Sequence, residues 1–166
     1  TKTVVGTVMT NLGLIRALES RGTAFVATPV GDRYVLEKML AEGHTLGGEQ
    51  SGHIIMRKFA NTGDGVLTAL HLISQMAQSK KSLKDLSSFM VRYPQVLINV
   101  PGVSKEKLAH NQAIKDAVSR IEAALGSRGR VLLRASGTEP LIRVMIEAEV
   151  ASDAQQFAQS LASLVK

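Results

Sequence analysis

Apolar and polar positions in the first part of the chain alternate between short continuous runs and sets spaced three and four residues apart. The runs are typical of buried strands, and the spaced sets are typical of amphipathic helices. Strands are predicted at 3–9, 24–27 and 53–56. A first helix is predicted over 11–20, and a second from Asp32 as N-cap to Gly43 as the stop. A third helix is predicted to start after Asp64 as N-cap, and its apolar face consists of Val66, Leu67, Leu70, Ile73 and Met76. This alternation predicts an α/β layer around a mainly parallel sheet, with ligand-binding loops at the strand ends.

The second part of the chain has a different order of elements. A strand is predicted at 96–100, a long helix at 104–125, a strand at 130–134 and a final helix at 152–165. From Ile142 the chain alternates with period two, which puts Glu147 on the side expected to carry solvated charge. The order β-α-β-β-α predicts a small α+β domain, an antiparallel sheet with helices on one face. We expect domains at 1–80 and 93–166, joined by a Ser- and Lys-rich linker at 81–92.

Composition and charge limit the classes of function that fit this chain. The chain has 166 residues, a net charge of +6, 4% aromatic residues and no cysteine. Lysines and arginines are scattered among acids, without the basic stripe and stacking aromatics that are typical of nucleic-acid binding. No run approaches the roughly 20 apolar residues of a membrane span, and no signal peptide is visible. These observations favour a cytoplasmic protein for small anionic ligands, with neither nucleic acid nor membrane as partner.

The segment from Arg134 to Arg143 is the strongest candidate for chemistry. It places two guanidiniums, two hydroxyls and a glycine between two predicted strands. Arginine presents a planar fork of donors that can bind phosphate oxygens bidentately, and a glycine lets backbone N–H groups form an anion nest. The predicted phosphate-binding residues are Arg134, Ser136, Gly137, Thr138 and Arg143. The alternative is an ordinary polar hairpin turn with two solvated arginines.

A second candidate is the glycine-rich loop at 46–54. It surrounds Glu49, Ser51 and His53 with glycines, which permit close backbone approach to a ligand. Carboxylates and short polar groups pair with vicinal sugar hydroxyls, which both donate and accept hydrogen bonds. The alternative is a tight connection between strands, in which Glu49 is solvated and His53 is structural.

Four segments, in order along the chain, carry a resemblance to a known family. Gly48-Glu-Gln-Ser-Gly-His53 resembles the sugar-binding loop of the α-D-phosphohexomutases, and Arg134-Ala-Ser-Gly-Thr-Glu-Pro140 resembles their phosphate-binding loop. Val30-Gly-Asp-Arg-Tyr-Val35 and Asn61-Thr-Gly-Asp-Gly65 are similar to stretches of the phosphoglucosamine mutase branch. The resemblance implies the family's third α/β domain followed by its TBP-like C-terminal domain. The chain opens without an initiator methionine, directly into a predicted strand, so we expect a fragment of a longer polypeptide with two further domains upstream.

The resemblance also implies a function for the parent protein. It would interconvert glucosamine 6-phosphate and glucosamine 1-phosphate through a phosphoserine and a bisphosphate intermediate, for UDP-N-acetylglucosamine and cell-wall synthesis. In this chain the implied sugar contacts are Glu49, Ser51, His53, Gly31 and Asp32. A helix cap would explain Asp32 equally well. His53 is an auxiliary group that either aids proton transfer or orients the phosphate.

The phosphoserine and the magnesium loop implied by the resemblance are not in this chain. Its aspartates are isolated in sequence, so we expect no metal site and no catalytic residue here beyond the auxiliary His53. We expect Mg²⁺ in the full-length enzyme, and no turnover by the fragment alone. The alternatives are a phosphomannomutase or phosphoglucomutase of the same superfamily, or a non-catalytic phosphosugar-binding module. The expected partners are a phosphorylated hexosamine and the upstream domains of the same polypeptide, with a homodimer left open.

Overall fold

The computed structural model describes residues 2–103, 108, 110–137 and 139–166. Thr138 and the predicted helix start at Ser104 therefore lie outside the described residues. The chain divides into two compact units, Thr1–Arg92 and Tyr93–Lys166. Whether residues 81–92 act as a linker stays a prediction.

The first unit is an α/β layer. Its strands are β1 (Thr3–Thr7), β2 (Ala24–Thr28), β3 (Leu46–Gly48) and β4 (Ile54–Met56). Its helices are α1 (Leu12–Glu19), α2 (Asp32–Glu42), α3 (Gly65–Ser79) and the short α4 (Leu83–Ser87). The sheet order is β2-β1-β3-β4, in which β1 is parallel to both neighbours and only β4 runs antiparallel, to β3. The predicted, mainly parallel α/β layer is confirmed.

Side chains cap the starts of α1 and α3 in the first unit. Asn11 accepts from the Gly13 backbone at the start of α1, and Asp64 accepts from the Leu67 backbone at 2.9 Å at the start of α3. Gly43 ends α2 in the left-handed conformation, as predicted. The prediction that Asp32 caps α2 is wrong.

The N-cap of α2 is Gly31, with φ 133°, and Asp32 is the first helical residue. The Asp32 carboxylate instead accepts from the Arg33 backbone N–H at 2.8 Å. A backbone conformation that favours glycine decides this helix start, and the preference of aspartate for the cap position does not.

The segment after α3 holds the short helix α4 at Leu83–Ser87. Ser82 and Asp85 form a reciprocal capping box that fixes its start. The guanidinium of Arg21 lies over the ring of Phe89, 5.0 Å from its centroid. The contact between Arg21 and Phe89 attaches the segment to the first unit.

The second unit is an antiparallel sheet covered by helices. Its elements are β5 (Gln95–Pro101), α5 (Gln112–Leu125), a 3-10 turn (Gly126–Arg128), β6 (Gly129–Ala135), β7 (Leu141–Ala148) and α6 (Ala151–Val165). The sheet order is β5-β7-β6, with both pairings antiparallel. The predicted α+β architecture is confirmed. The predicted single helix at 104–125 is interrupted, because Asn111 leaves the helical conformation and caps α5 through the Ile114 backbone N–H, whereas Leu108 and His110 before it are helical.

The core of the second unit lies between the sheet and its two helices. Ile142, Val144 and Ile146 of β7 pack in one cluster with buried residues of α5 and α6. Alternate residues of β7 therefore point to the other face of the sheet. There Glu147 is fully buried, and its Oε2 accepts from Arg130 Nε at 2.6 Å. The expectation that Glu147 carries solvated charge is wrong, because the paired cation lies directly opposite it on β6.

Within the described part of the chain, no helix has both the length and the apolar content needed to cross a membrane.

Candidate functional site

The two arginines of the C-terminal hairpin occupy one cross-strand position. Arg134 near the end of β6 lies directly opposite Arg143 near the start of β7. Opposed residues of an antiparallel pair share one face, with Cβ atoms about 5 Å apart. Burial lowers the pKa of Arg134, and the nearby positive charge of Arg143 lowers this pKa further. Two like charges in this arrangement repel each other, so the position favours a bound anion.

Only part of the Arg143 guanidinium has a hydrogen-bond partner among the described residues. Its Nη2 donates to the Glu139 carboxylate at 3.0 Å, and this acid lies in the same turn. Its Nε is buried and has no hydrogen-bond partner among the described residues. An unpartnered buried N–H group is costly, so a ligand oxygen that reached this atom would stabilise the site.

The turn between the arginines is held by its own hydrogen bonds. Ser136 is 2% exposed, its backbone N–H donates to Leu141 O at 2.9 Å, and its Oγ accepts from the Glu139 N–H at 3.3 Å. Gly102, just after β5, donates to Pro140 O at 3.1 Å. A Cβ added at Gly137 would meet nothing within 4 Å, so the space beside this backbone is open. The turn is fixed at its base, and its backbone is accessible at Gly137.

The predicted phosphate-binding residues are thus brought into one hairpin, except that Thr138 lies outside the described residues. That they bind phosphate stays a prediction. Sequence reasoning missed Glu139, although its place four residues before Arg143 in the same turn was a usable signal. The alternative of two freely solvated arginines does not fit, since Arg134 is half-buried and Arg143 is ion-paired.

The glycine-rich loop of the first unit forms the turn between β3 and β4. The Glu49 backbone N–H donates to His53 O at 3.0 Å, and the Gly52 N–H donates to Glu49 O at 3.1 Å. A Cβ added at Gly48 would lie 2.6 Å from His53 O, so this close approach of two backbone segments requires glycine. The turn is as tight as the structural alternative predicts, and it also gathers three polar side chains.

Glu49, Ser51 and His53 form one hydrogen-bonded cluster. The Ser51 hydroxyl lies 2.6 Å from Glu49 Oε1 and 3.0 Å from His53 Nδ1, and Nδ1 lies 3.2 Å from the same carboxylate oxygen. The Glu49 side chain is only 10% exposed, whereas that of His53 is 53% exposed. Glu49 is therefore largely buried, contrary to the alternative of a solvated carboxylate, and the exposed His53 is held in the turn by hydrogen bonds, as a structural role would also require.

This cluster determines which nitrogen of His53 carries the hydrogen. If the Ser51 hydroxyl donates its proton to Glu49, it can only accept from His53, so Nδ1 carries the hydrogen. In the neutral ring, Nε2 takes no part in these hydrogen bonds and then carries the lone pair. The arrangement can accept hydrogen bonds at the carboxylate and take or give a proton at the imidazole.

Gly31 and Asp32 follow β2, and the Glu49 turn follows β3. Since β2 and β3 both run parallel to β1, their carboxyl ends lie at the same edge of the sheet. Asp32 is exposed there and does not cap the helix through its side chain. Its predicted role toward a sugar stays a prediction.

Among the described residues, no three His, Asp or Glu side chains cluster closely enough to hold a metal ion. Asp64 is occupied as the N-cap of α3. The donor sets of both loops therefore do not fit a bound Mg²⁺.

The chain matches two family models. "Phosphoglucomutase/phosphomannomutase, alpha/beta/alpha domain III" covers residues 1–93, and "Phosphoglucomutase/phosphomannomutase, C-terminal domain" covers residues 97–164. The phosphoglucosamine mutase of Leifsonia xyli subsp. xyli is 54% identical over 164 residues, 99% of this chain and 36% of that protein. The phosphoglucosamine mutase of Bifidobacterium longum subsp. infantis is 56% identical over 163 residues, 98% of this chain and 35% of that protein. The chain thus spans little more than a third of the length of these relatives.

Solved structures agree on the fold. The Aspergillus fumigatus N-acetylphosphoglucosamine mutase superposes with a TM-score of 0.83 at 20% identity, over 98% of this chain and 38% of that chain. Another structure of the mutase from this fungus, in complex with GlcNAc-6P and magnesium, has a TM-score of 0.81 at 18% identity, over 98% of this chain and 38% of that chain.

Proposed function

The chain belongs to the phosphoglucomutase/phosphomannomutase family, and we propose that it supplies the sugar- and phosphate-binding part of a phosphosugar mutase. The observation that carries the proposal is the cross-strand pair Arg134 and Arg143, with the buried Nε of Arg143 unpartnered among the described residues. A phosphate monoester is a dianion with several acceptor oxygens, so it can neutralise both guanidiniums and accept from that N–H.

The proposed substrate pair is glucosamine 6-phosphate and glucosamine 1-phosphate. The relatives named phosphoglucosamine mutase at more than half identity support this choice. The description of the matched family models, phosphoglucomutase/phosphomannomutase, keeps the corresponding hexose phosphates as the second candidate. In either case the whole protein would be an isomerase acting through a bisphosphate intermediate, in the cytoplasm.

The two loops have separate tasks in this proposal. Arg134 and Arg143 bind the phosphate that is not being transferred. Because the sugar turns end for end between two transfers, this one site must accept a phosphate at either end. Glu49 accepts hydrogen bonds from ring hydroxyls, and His53 offers Nε2 for the proton of the sugar hydroxyl that gains or loses the phosphoryl group.

The phosphoserine and Mg²⁺ of the proposed reaction would come from other parts of a longer polypeptide. Magnesium would supply charge neutralisation at the transferred phosphoryl group. The described residues of this chain offer no metal cluster, so we expect it to bind the substrate without turnover on its own.

Calorimetric titration of glucosamine 6-phosphate into the 166-residue chain tests the proposal. Charge-assisted hydrogen bonds are each worth about 1.5–3 kcal/mol, so Arg134→Ala and Arg143→Ala should each weaken binding roughly tenfold or more. Arg120→Ala removes the same charge from an exposed position on α5 and is the matched control. Equal affinities for all three variants would overturn the phosphate-site assignment. Turnover by the isolated chain would overturn the assignment of the catalytic groups to other domains.

A further inference from the structure

The sheet of the second unit has a second face, opposite its helices, that the proposed function does not fully use. Because Ile142, Val144 and Ile146 enter the helix-covered core, the residues between them point to this second face. The strand register arranges that face in three rows across β5, β7 and β6. The rows are Asn99–Arg143–Arg134, Leu97–Met145–Leu132 and Gln95–Glu147–Arg130.

The three rows differ in how far positive charges are balanced by negative charges within each row. The row farthest from the turn joins Arg130 to the buried Glu147, one cation to one anion. The middle row is apolar, and Met145 at its centre is 1% exposed. The row next to the turn has two cations, and Glu139 is the one carboxylate that an ion pair links to either of them within the described part of the chain. Only this row keeps an excess of positive charge.

Asn99 is the third member of that row. It lies on the edge strand β5 directly opposite Arg143, so both side chains share one face. Asn99 is exposed, and no hydrogen bond holds its side chain among the described residues. Its amide carries two N–H donors, which a dianion can use and a neighbouring guanidinium cannot. The donors of Arg134, Arg143 and Asn99 therefore extend across three adjacent strands.

We propose that Asn99 is a further residue of the phosphate-binding site and donates a hydrogen bond from its side-chain amide to the phosphate held by Arg143. This inference rests on the proposed function, because it assumes that the arginine pair binds phosphate. Asn99 then holds the anion from the β5 side, while Arg134 holds it from the β6 side.

Titration of inorganic phosphate into the 166-residue chain, followed by NMR, tests the inference. A hydrogen bond to a charged acceptor is lost in Asn99→Ala, so the dissociation constant should rise about tenfold. Asn99→Asp keeps the shape but replaces the donors with a negative charge, so its effect should be larger. Asn99→Ser, which keeps one shorter donor, should fall between wild type and Asn99→Ala.

Gln95→Ala is the matched control, because it removes a side-chain amide from the same face of the same strand, about 13 Å away at 3.3 Å per residue. It should leave phosphate affinity within twofold of wild type. Unchanged binding by Asn99→Asp, or equal effects of Asn99→Ala and Gln95→Ala, would overturn the role of Asn99. An effect on glucosamine 6-phosphate without one on inorganic phosphate would also overturn it, since the contact would then be to the sugar.

Arg134→Ala separates this inference from the proposed function. If Arg134→Ala loses phosphate while Asn99→Ala retains it, only the role of Asn99 fails. If Arg134→Ala also binds like wild type, or the wild-type chain shows no saturable phosphate binding, both fail. Amide spectra of the free variants that match the wild type establish that the fold is intact.

Discussion

The two units hold their candidate loops on hydrophobic cores of different size. In the second unit, fifteen buried apolar residues form one cluster between the sheet and its helices, counted over the described residues. In the first unit, the corresponding cluster has four members, Val5, Val35, Met39 and Ile55. A cross-strand arginine pair is repulsive, so it needs the more rigid scaffold to hold it. The loop at Glu49 instead stabilises itself through attractive hydrogen bonds among its own side chains.

The difference in burial between the two units is largest at helix α3 of the first unit. The predicted apolar face of this helix is present, but it is not buried in the described structure. Val66 is 73% exposed, Leu70 and Ile73 are each 61% exposed, and α3 has no buried residue. The apolar spacing therefore predicted the helix correctly and did not predict what packs against it.

The largest expected effect is in the second unit, at the buried ion pair. Arg130→Ala removes a cation that pairs with the buried Glu147, which should cost about 3–5 kcal/mol. Native-state hydrogen exchange of β7 amides measures the loss within this unit, where a single global unfolding curve would mix the two units. Arg120→Ala, at an exposed position, is the control and should change these amides by less than about 0.5 kcal/mol. Similar exchange rates in both variants would contradict the structural importance of the pair.

A core truncation in α6 should cost somewhat less. Leu161 is 1% exposed and Leu164, on the same helix, is 40% exposed. Leu161→Ala should lower the free energy of unfolding of the second unit by about 3 kcal/mol, whereas Leu164→Ala should have a much smaller effect. The measurement is urea unfolding followed by resolved NMR signals of β5 and β7.

Leu70→Ala extends this test to the first unit. Because its side chain is largely exposed, the substitution should change the stability of the first unit by less than about 0.5 kcal/mol. A cost as large as that of Leu161→Ala would show that α3 is packed in solution and would remove the contrast between the units.

A further difference in stability separates two aspartates at helix starts. Asp64 accepts from the Leu67 N–H as the N-cap of α3, so Asp64→Ala should destabilise that helix by about 1 kcal/mol. Asp32 is not the cap of α2, so Asp32→Ala should lose only the exposed hydrogen bond from the Arg33 N–H and the weak attraction to the helix dipole, about 0.5 kcal/mol together. Hydrogen exchange of the first two turns of each helix measures both. Equal losses of helix stability in Asp64→Ala and Asp32→Ala would indicate that the Asp32 side chain caps α2.

These comparisons show how far the sequence predicts the molecule. The spacing of apolar residues predicted the parallel layer, the antiparallel sheet and the hairpin that joins Arg134 to Arg143. This spacing is informative because a helix or strand that buries one face repeats its apolar residues with a fixed period in the local sequence. It did not predict the break at Asn111, since the apolar spacing continues through that residue and only the cap marks the helix start.

Other errors came from contacts that are distant in sequence or set by the backbone. A period-two strand gives the same pattern for solvated and buried charge, and only the register opposite Arg130 reveals that Glu147 is buried. The place of Asn99 beside the arginines likewise depends on how β5 pairs with β7. At α2, the positive φ of Gly31 moved the cap away from Asp32.

The side-chain N–H signals of the arginines test the central claim most directly, because Arg143 Nε–H is buried and lacks a partner among the described residues. During titration with inorganic phosphate, the Nε–H signals of Arg143 and Arg134 should shift together and saturate, with a downfield proton shift for Arg143 as it gains an acceptor. The signal of the exposed Arg120 should stay in place. Saturable phosphate binding that leaves both Arg134 and Arg143 unshifted would contradict a phosphate site at this hairpin.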